Sequence, residues 1–576
     1  MHSASPPHRW RHLFLECCWN VKEHKRNPDV VQLQYSLPTL RAEFFQGVGS
    51  DLMRTLRWMI ASAVAVALAG CGADEISSAG ASGDITINNP PPTQNPDPPP
   101  SNGGVQPAAS CPDIANAIKL SDSGTIKGPT GEYRVCDLPA RFTASSTLRR
   151  VPGVVYALFD RVDVGTDLGP TAAATEASVT LTIEPGVVIF GKAGTSWLAV
   201  NRGHKIQAVG TATQPIVFTS RDNILGLATD DSQGQWGGVV LMGRAPITDC
   251  RTGTPGAADC DRQTEGSAAL ALYGGATLND SSGTMSYVQI RYSGYVLGAN
   301  SELQALTLEG VGNGTRIDHI QMHNSSDDGF EIFGGRAHLR NIVVTGADDD
   351  SVDVDVGYKG TIQYLIGVQK TSGAPDSMIE LDSTNLNEAQ TPRTNLKLAN
   401  FTFIHRNPAT GNGAALLLRG GADATLVNGV LTSPMACLRI NGANVIGAAD
   451  PIIDKLGPPV LRSVAVSCGT TVTVDSGAST TVTAAQALAL FTADPNNTTT
   501  LSPTLTGTFI AGANERAVTA VDPRTIDAEF DAIATPYIGA VRDANDTWYA
   551  GWTCNSATAN FGGTSGACTS LPSLAQ

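Results

Sequence analysis

Six short segments share one pattern, apolar-x-x-apolar-x-apolar: MSYVQI at 285–290, IDHIQM at 317–322, LRNIVV at 339–344, IQYLIG at 362–367, LANFTF at 398–403 and LVNGVL at 426–431. Two of the six place Gly at an apolar position, and successive starts lie 32, 22, 23, 36 and 28 residues apart. A core period of about 22 with variable additions is what a solenoid produces. Each coil buries its apolar face against its neighbours and carries loops of its own length. Upstream, Val179-Thr180-Leu181-Thr182-Ile183, Lys205-Ile206-Gln207-Ala208-Val209 and Pro215-Ile216-Val217-Phe218 alternate in the same way and are punctuated by Gly, Asn, Asp and Pro, which is strand-and-turn chemistry. The third template position holds Asn341, Asn400 and Asn428, which would permit an Asn ladder bonded from turn to turn. The expected fold is all-β.

The period carries a chemical consequence in residues 324–357. Asp328 and Asp350 are 22 positions apart, and so are Glu331 and Asp353. If that spacing is one coil, the alternation of Val352-Asp353-Val354-Asp355-Val356 turns the valines inward and the aspartates outward. The same phase puts Glu331 and Phe333 outside, then Glu380 and Asp382 on the next segment. Carboxylates stacked about 4.8 Å apart repel by roughly 1 kcal/mol in water and by about 3–4 kcal/mol at an effective dielectric near 20. Such a column requires protons, basic neighbours or a cation. Three readings stay open for Asp327, Asp328, Glu331, Asp349, Asp350, Asp353, Asp355, Glu380 and Asp382: a solvated acidic surface offset by Arg336, Arg340 and Lys359, a Ca²⁺ site of hard oxygen ligands, or catalytic carboxylates. His319, His323, His338 and His405 lie on or beside coil strands and read as surface or turn residues.

The stretch LTIEPGVVIFG…IQAVGTATQPIVFTS…WGGVVLMG is similar to the opening turns of bacterial surface β-helix proteins. Over 178–436 the chain resembles the right-handed parallel β-helix, or pectin-lyase-like, superfamily. That resemblance implies a parallel β-helix with capped ends: an N-terminal cap over 111–177 and a mixed C-terminal capping region over 437–576. Asp328-Gly329-Phe330 and Asp349-Asp350-Ser351 further resemble aspartate motifs of the polygalacturonases, which implies Asp328, Asp349 and Asp350 as general acid and base of a hydrolase. The family's G-H-G motif meets Lys370-Thr371-Ser372-Gly373 here, and its R-I-K motif has no counterpart; Arg419 is the nearest basic residue in a similar setting.

Address and cross-links are read from the ends. Met53 to Arg57 is basic, Trp58 to Leu68 is apolar, and Leu68-Ala69-Gly70-Cys71 resembles the bacterial lipobox. Residues 53–70 are therefore expected to be a lipoprotein signal, Cys71 the lipidated residue, and Met53 the translation start, with 1–52 not part of the protein. Gly72 in place of Asp implies the outer membrane, on its periplasmic or surface face. Residues 71–110 contain Pro90-Pro91-Pro92 and Pro98-Pro99-Pro100 and form an extended tether of up to about 100 Å. The full chain has a formal charge of −15, which argues against nucleic acid as a partner.

Eight further cysteines fall in local pairs, and the simplest connectivity is sequential: Cys111–Cys136, Cys250–Cys260, Cys437–Cys468 and Cys554–Cys568. Thr483-Ala484-Ala485-Gln486 reads as a capping box opening a helix over 484–491. Tyr537, Trp548, Tyr549 and Trp552 near the end read as packing residues, with sugar stacking as the other use of such rings. The chain is thus expected to be an envelope lipoprotein presenting an acidic β-helix for ligand binding, adhesion or assistance to an outer-membrane receptor, with Ca²⁺ as the one candidate cofactor. The alternative is a polysaccharide-active hydrolase or lyase.

Overall fold

The computed structural model describes residues 104–114, 120–298, 301–384, 387–406, 413–475 and 482–572. Residues 1–52, the signal segment, Cys71 and the tether up to residue 103 lie outside the described residues.

Three parallel sheets run along the chain's coils. The first contains Thr180–Ile183 and Lys205–Val209, then the leading halves of Gly283–Arg291, Arg316–His323, His338–Thr345, Lys359–Val368 and Asn395–Ile404. The second contains Val154–Leu158, Val188–Gly191 and Ile216–Ser220, then the trailing halves of the same long strands. The third is made of short strands, among them Trp197–Val200, Val239–Met242, Leu306–Glu309, Phe330–Phe333, Val352–Asp355, Ile379–Leu381 and Ala414–Leu418. Parallel pairing lets every coil satisfy its backbone groups on the next, and the inward side chains of all three sheets form one continuous apolar core.

The register is the one the repeat demands. Met285, Ile317, Leu339, Ile362, Leu398 and Leu426 pair in succession, and Leu461 extends the row. Parallel pairing also exceeds 178–436 at both ends. Gly131–Asp137 already pairs with Val154–Leu158, and Asp423–Ile440 pairs with Val460–Val474. The hairpin partner Ser121–Gly128 is antiparallel.

At the third template position the chain turns from the first sheet to the second through one left-handed residue. Tyr287, His319, Asn341, Tyr364, Asn400, Asn428 and Ser463 have φ between +53° and +61°. Asn tolerates this region better than most side chains, which accounts for its recurrence there. The amides of Asn400 and Asn428 do not form the expected turn-to-turn ladder. Asn400 Nδ2 donates to the Tyr537 carbonyl at 2.8 Å. Asn428 Nδ2 donates to the Val521 carbonyl at 2.9 Å, and its Oδ1 accepts the Val521 N–H at 3.0 Å.

Those partners belong to the C-terminal region over 437–576, which both closes the stack and runs along it. The helix Ala484–Thr492 does close the stack, with its Thr483/Gln486 capping box formed and Ala487 and Phe491 in the core. From residue 497 onward the chain runs back along the outside of the coils as a strap. Thr498 bonds Val464 and Val466 on the last long strand. Asp531 N–H reaches Gln363, Gln321 grips Cys554 through both backbone groups, and Arg291 donates to the carbonyls of Cys568 and Ser570. Trp552 and Tyr549 are buried against Val343 and Ile366, so these two rings serve packing. The four disulfides join the expected sequential pairs.

Replacing Asn428 separates its two duties. Asn428→Gly keeps the left-handed corner and loses the two bonds to Val521, for a cost of about 1–2 kcal/mol. Asn428→Ala adds the backbone penalty of about 1 kcal/mol. Denaturant unfolding should rank native above Gly above Ala.

Candidate functional site

The outward face of the third sheet carries the acidic column. Glu331 pairs with Asp353 and Asp353 with Glu380, while the Asp382 N–H bonds the Val354 carbonyl. Phe330, Ile332, Val352 and Val354 point into the core, as alternation requires. Outside the coil does not mean in water, however. Glu331 is only 7% exposed, and Asp328, Asp350 and Asp382 are buried as well.

An excursion between Met242 and Gly283, pinned by Cys250–Cys260, forms the cover. Its Tyr273 ring lies 6.1 Å from the Phe333 ring, and the Arg262 guanidinium sits 5.7 Å above the latter. Its Thr264 hydroxyl donates to Glu309 at 2.7 Å. Trp197, Val240, Met242 and Tyr273 seal this layer as a second apolar cluster. Arg262, Thr264, Glu265, Tyr273 and Glu309 were invisible to the repeat pattern because they belong to the excursion or to a coil without the template. The local Cys250–Cys260 pair was the one signal that something folded there.

The nine acidic residues divide by role. Asp328 Oδ1 accepts the Asp350 N–H at 2.9 Å, and Asp350 Oδ1 accepts the Ser377 N–H at 2.6 Å. Each of these carboxyls stitches the turn of one coil to the next. Asp327, half-buried, accepts from Gln304 at 3.1 Å, and Asp349 is exposed. Asp353 and Asp355 each have an Oδ1 sealed from solvent with no hydrogen-bond partner among the described residues. One oxygen each from Asp327, Asp328 and Asp349 lies within 4.8 Å of the others, and the same holds for Asp328, Glu331 and Asp353. Carboxyl groups so placed could hold a metal ion.

The basic offset comes from an unexpected place. Arg340 pairs with Asp531, Lys359 pairs with Asp454, and Arg336 donates to the Gly335 and Gly357 carbonyls, so none of the three neutralises the column. Arg419 does: it lies 2.7 Å from Glu380 and 3.3 Å from Asp382. Lys370, in the segment that meets the polygalacturonase G-H-G motif, pairs with Asp348 at 3.0 Å. His323 is fully buried and bonded to Thr345, and burial lowers its pKa to about 3. His319, His338 and His405 bond Asp318, Thr361 and Ser433 respectively.

Electrostatics follow from burial first and mutual repulsion second. The carboxyls of Asp328, Glu331, Asp350, Asp353 and Asp355 are held well above the ordinary range. Asp327 is pushed up to about 7 by burial and by Asp349. Glu380 also reaches about 7, through burial opposed by Arg419. Glu309 reaches about 8 through burial, with the Thr264 bond working against it.

Stacked parallel coils are what the comparison with protein families returns: residues 170–553 match the pectate-lyase-like β-helix domain. The chain belongs to this family. No curated protein and no solved structure matches it significantly. In this pectate-lyase-like β-helix the family match also takes in most of the strap, which ends at residue 572 of the described chain.

The raised carboxyls define a pH dependence. A folded-state pKa above the unfolded value near 4 means the folded protein binds the proton more tightly. That stability is complete below pH 4 and is lost as pH rises through about 7 for Asp327 and Glu380 and about 8 for Glu309. With chelator present, the melting temperature should fall between pH 5.5 and about 8.5. Asp353→Asn, which removes one charge from the column, should flatten that fall and stabilise the metal-free protein at the upper end by about 1–2 kcal/mol.

Proposed function

We propose that this β-helix is an envelope-anchored binding protein whose third-sheet face takes up Ca²⁺ and whose outer surface binds a ligand. One observation carries the reading. Asp353 and Asp355 keep sealed, unpartnered carboxylate oxygens in a column that has Arg419 as its direct ion-pair partner. Burying such oxygens is costly unless something cationic meets them. Ca²⁺ takes six to eight oxygens at about 2.3–2.6 Å, so two ligands across one ion are about 5 Å apart. Both carboxylate trios fall inside that span. Anchoring is supported by the L-A-G-C sequence at 68–71 and the Pro-rich stretch after it.

A polygalacturonase-type hydrolase has less support. Two of its three expected aspartates, Asp328 and Asp350, are buried and engaged with backbone N–H groups of the following turn. A general acid must reach the leaving oxygen within hydrogen-bond distance. Of the three, Asp349 is exposed, and among the described residues it has no imidazole or cationic partner of the kind that hydrolysis of that type employs.

Calorimetric titration of the chelator-treated protein should show Ca²⁺ binding that Asp353→Asn weakens by about tenfold or more. Added Ca²⁺ should raise the melting temperature at neutral pH, and an unchanged melting curve would end the metal reading. On a glycan panel the protein should bind without turnover; turnover lost in Asp349→Asn would establish the enzyme instead. Fatty-acid labelling in the native host, absent in Cys71→Ser, checks the anchor.

A further inference from the structure

The two ends of the stack are finished differently. Strand Val460–Val474 is the last rung, and its middle is covered where Thr498 bonds Val464 and Val466. Its third-sheet portion, residues 470–474, pairs with residues 436–440 on one side. Among the described residues no strand pairs with its other side. The sequence there is Thr-Thr-Val-Thr-Val, β-branched throughout and without Lys or Pro. Proteins ordinarily blunt such an edge with charge or proline, because unpaired N–H and C=O groups recruit another strand.

The helix that closes this end has the same character. Ala484–Thr492 contains no charged residue, and with Ala487 and Phe491 in the core it turns Ala484, Ala485, Leu488 and Ala489 to solvent. A surface helix usually carries its charges on that side. Beside it opens a cavity of about 640 Å³ lined by Ile446, Pro458, Val460 and Leu490 and flanked by Arg462 and Asp494, which pair at 3.2 Å.

We propose that this end of the stack is the interface between two copies of the chain, joined about a two-fold axis. A strand edge is complementary to itself when the second copy runs antiparallel, which a two-fold imposes. Charge favours this end over the rest of the surface, since the chain carries −15 and two copies repel wherever their acidic faces meet. The helix and residues 470–474 carry no charge, so the copies can approach there without that cost.

Sedimentation analysis of the full chain tests this. The native protein should form a dimer at micromolar concentration. Leu488→Glu alters an exposed side chain and Thr473→Lys places a charge on the edge; each should weaken association by about tenfold or more. Both variants should keep the native melting temperature, which separates lost association from lost folding. A monomeric native chain overturns the proposal. So does a dimer that both variants leave intact, or one lost only in Cys71→Ser, which would place association at the anchor.

Discussion

Coil-to-coil backbone pairing is the constraint on which everything else depends. Once strands stack in parallel and in register, residues one coil apart are held about 4.8 Å from each other on every face, whatever their chemistry. On the inside this gathers Ile320, Ile342 and Leu365 into one core row. On the outside it forces Glu331, Asp353 and Glu380 together with no freedom to separate. In a loop, like charges would swing apart; on a sheet face the backbone forbids it. The repulsion must be answered by protons, by Arg419 or by a cation, and that is why a structural scaffold concentrates strongly shifted carboxyls on one face.

The excursion over the third sheet makes the answer consequential. Without it, solvent would screen the column, and the carboxyls would behave as ordinary surface acids. Tyr273, Phe333 and Met242 exclude that solvent, so Glu331 in the column and Glu309 beside it are buried, while Thr264 supplies one neutral hydrogen bond to Glu309. The apolar layer and the acidic column are thus parts of one device, with burial setting the strength of every charge in it.

A second consequence of the repeat lies at the left-handed corner. Because one residue per coil turns the chain there, polar side chains recur along one edge of the stack, and the strap uses them. Asn428, Asn400, Gln363, Gln321 and Arg291 each hold strap backbone. Arg291 is fully buried and satisfied by carbonyls and Gln289, with burial lowering its pKa to about 10. The strap ties successive coils that are otherwise linked only to their neighbours.

Sequence alone determined the period, the register and the phase of each third-sheet strand, because these depend on local alternation and on spacing along one chain. It therefore determined that Glu331, Asp353 and Glu380 stack, while the cysteine pairing it offered only as the simplest connectivity is the one the structure forms. It could not tell outward from exposed. The cover over the column comes from residues 243–282, which carry no template and meet the site only through folding. It also misassigned the basic partners: Arg336, Arg340 and Lys359 lie close in sequence to the acids but point elsewhere, while Arg419 arrives two coils beyond Asp353 along the pairing Asp353, Glu380, Leu417. Periodicity is a property of the chain; solvent exclusion and charge pairing are properties of what the chain is packed against, and only the tertiary structure decides those.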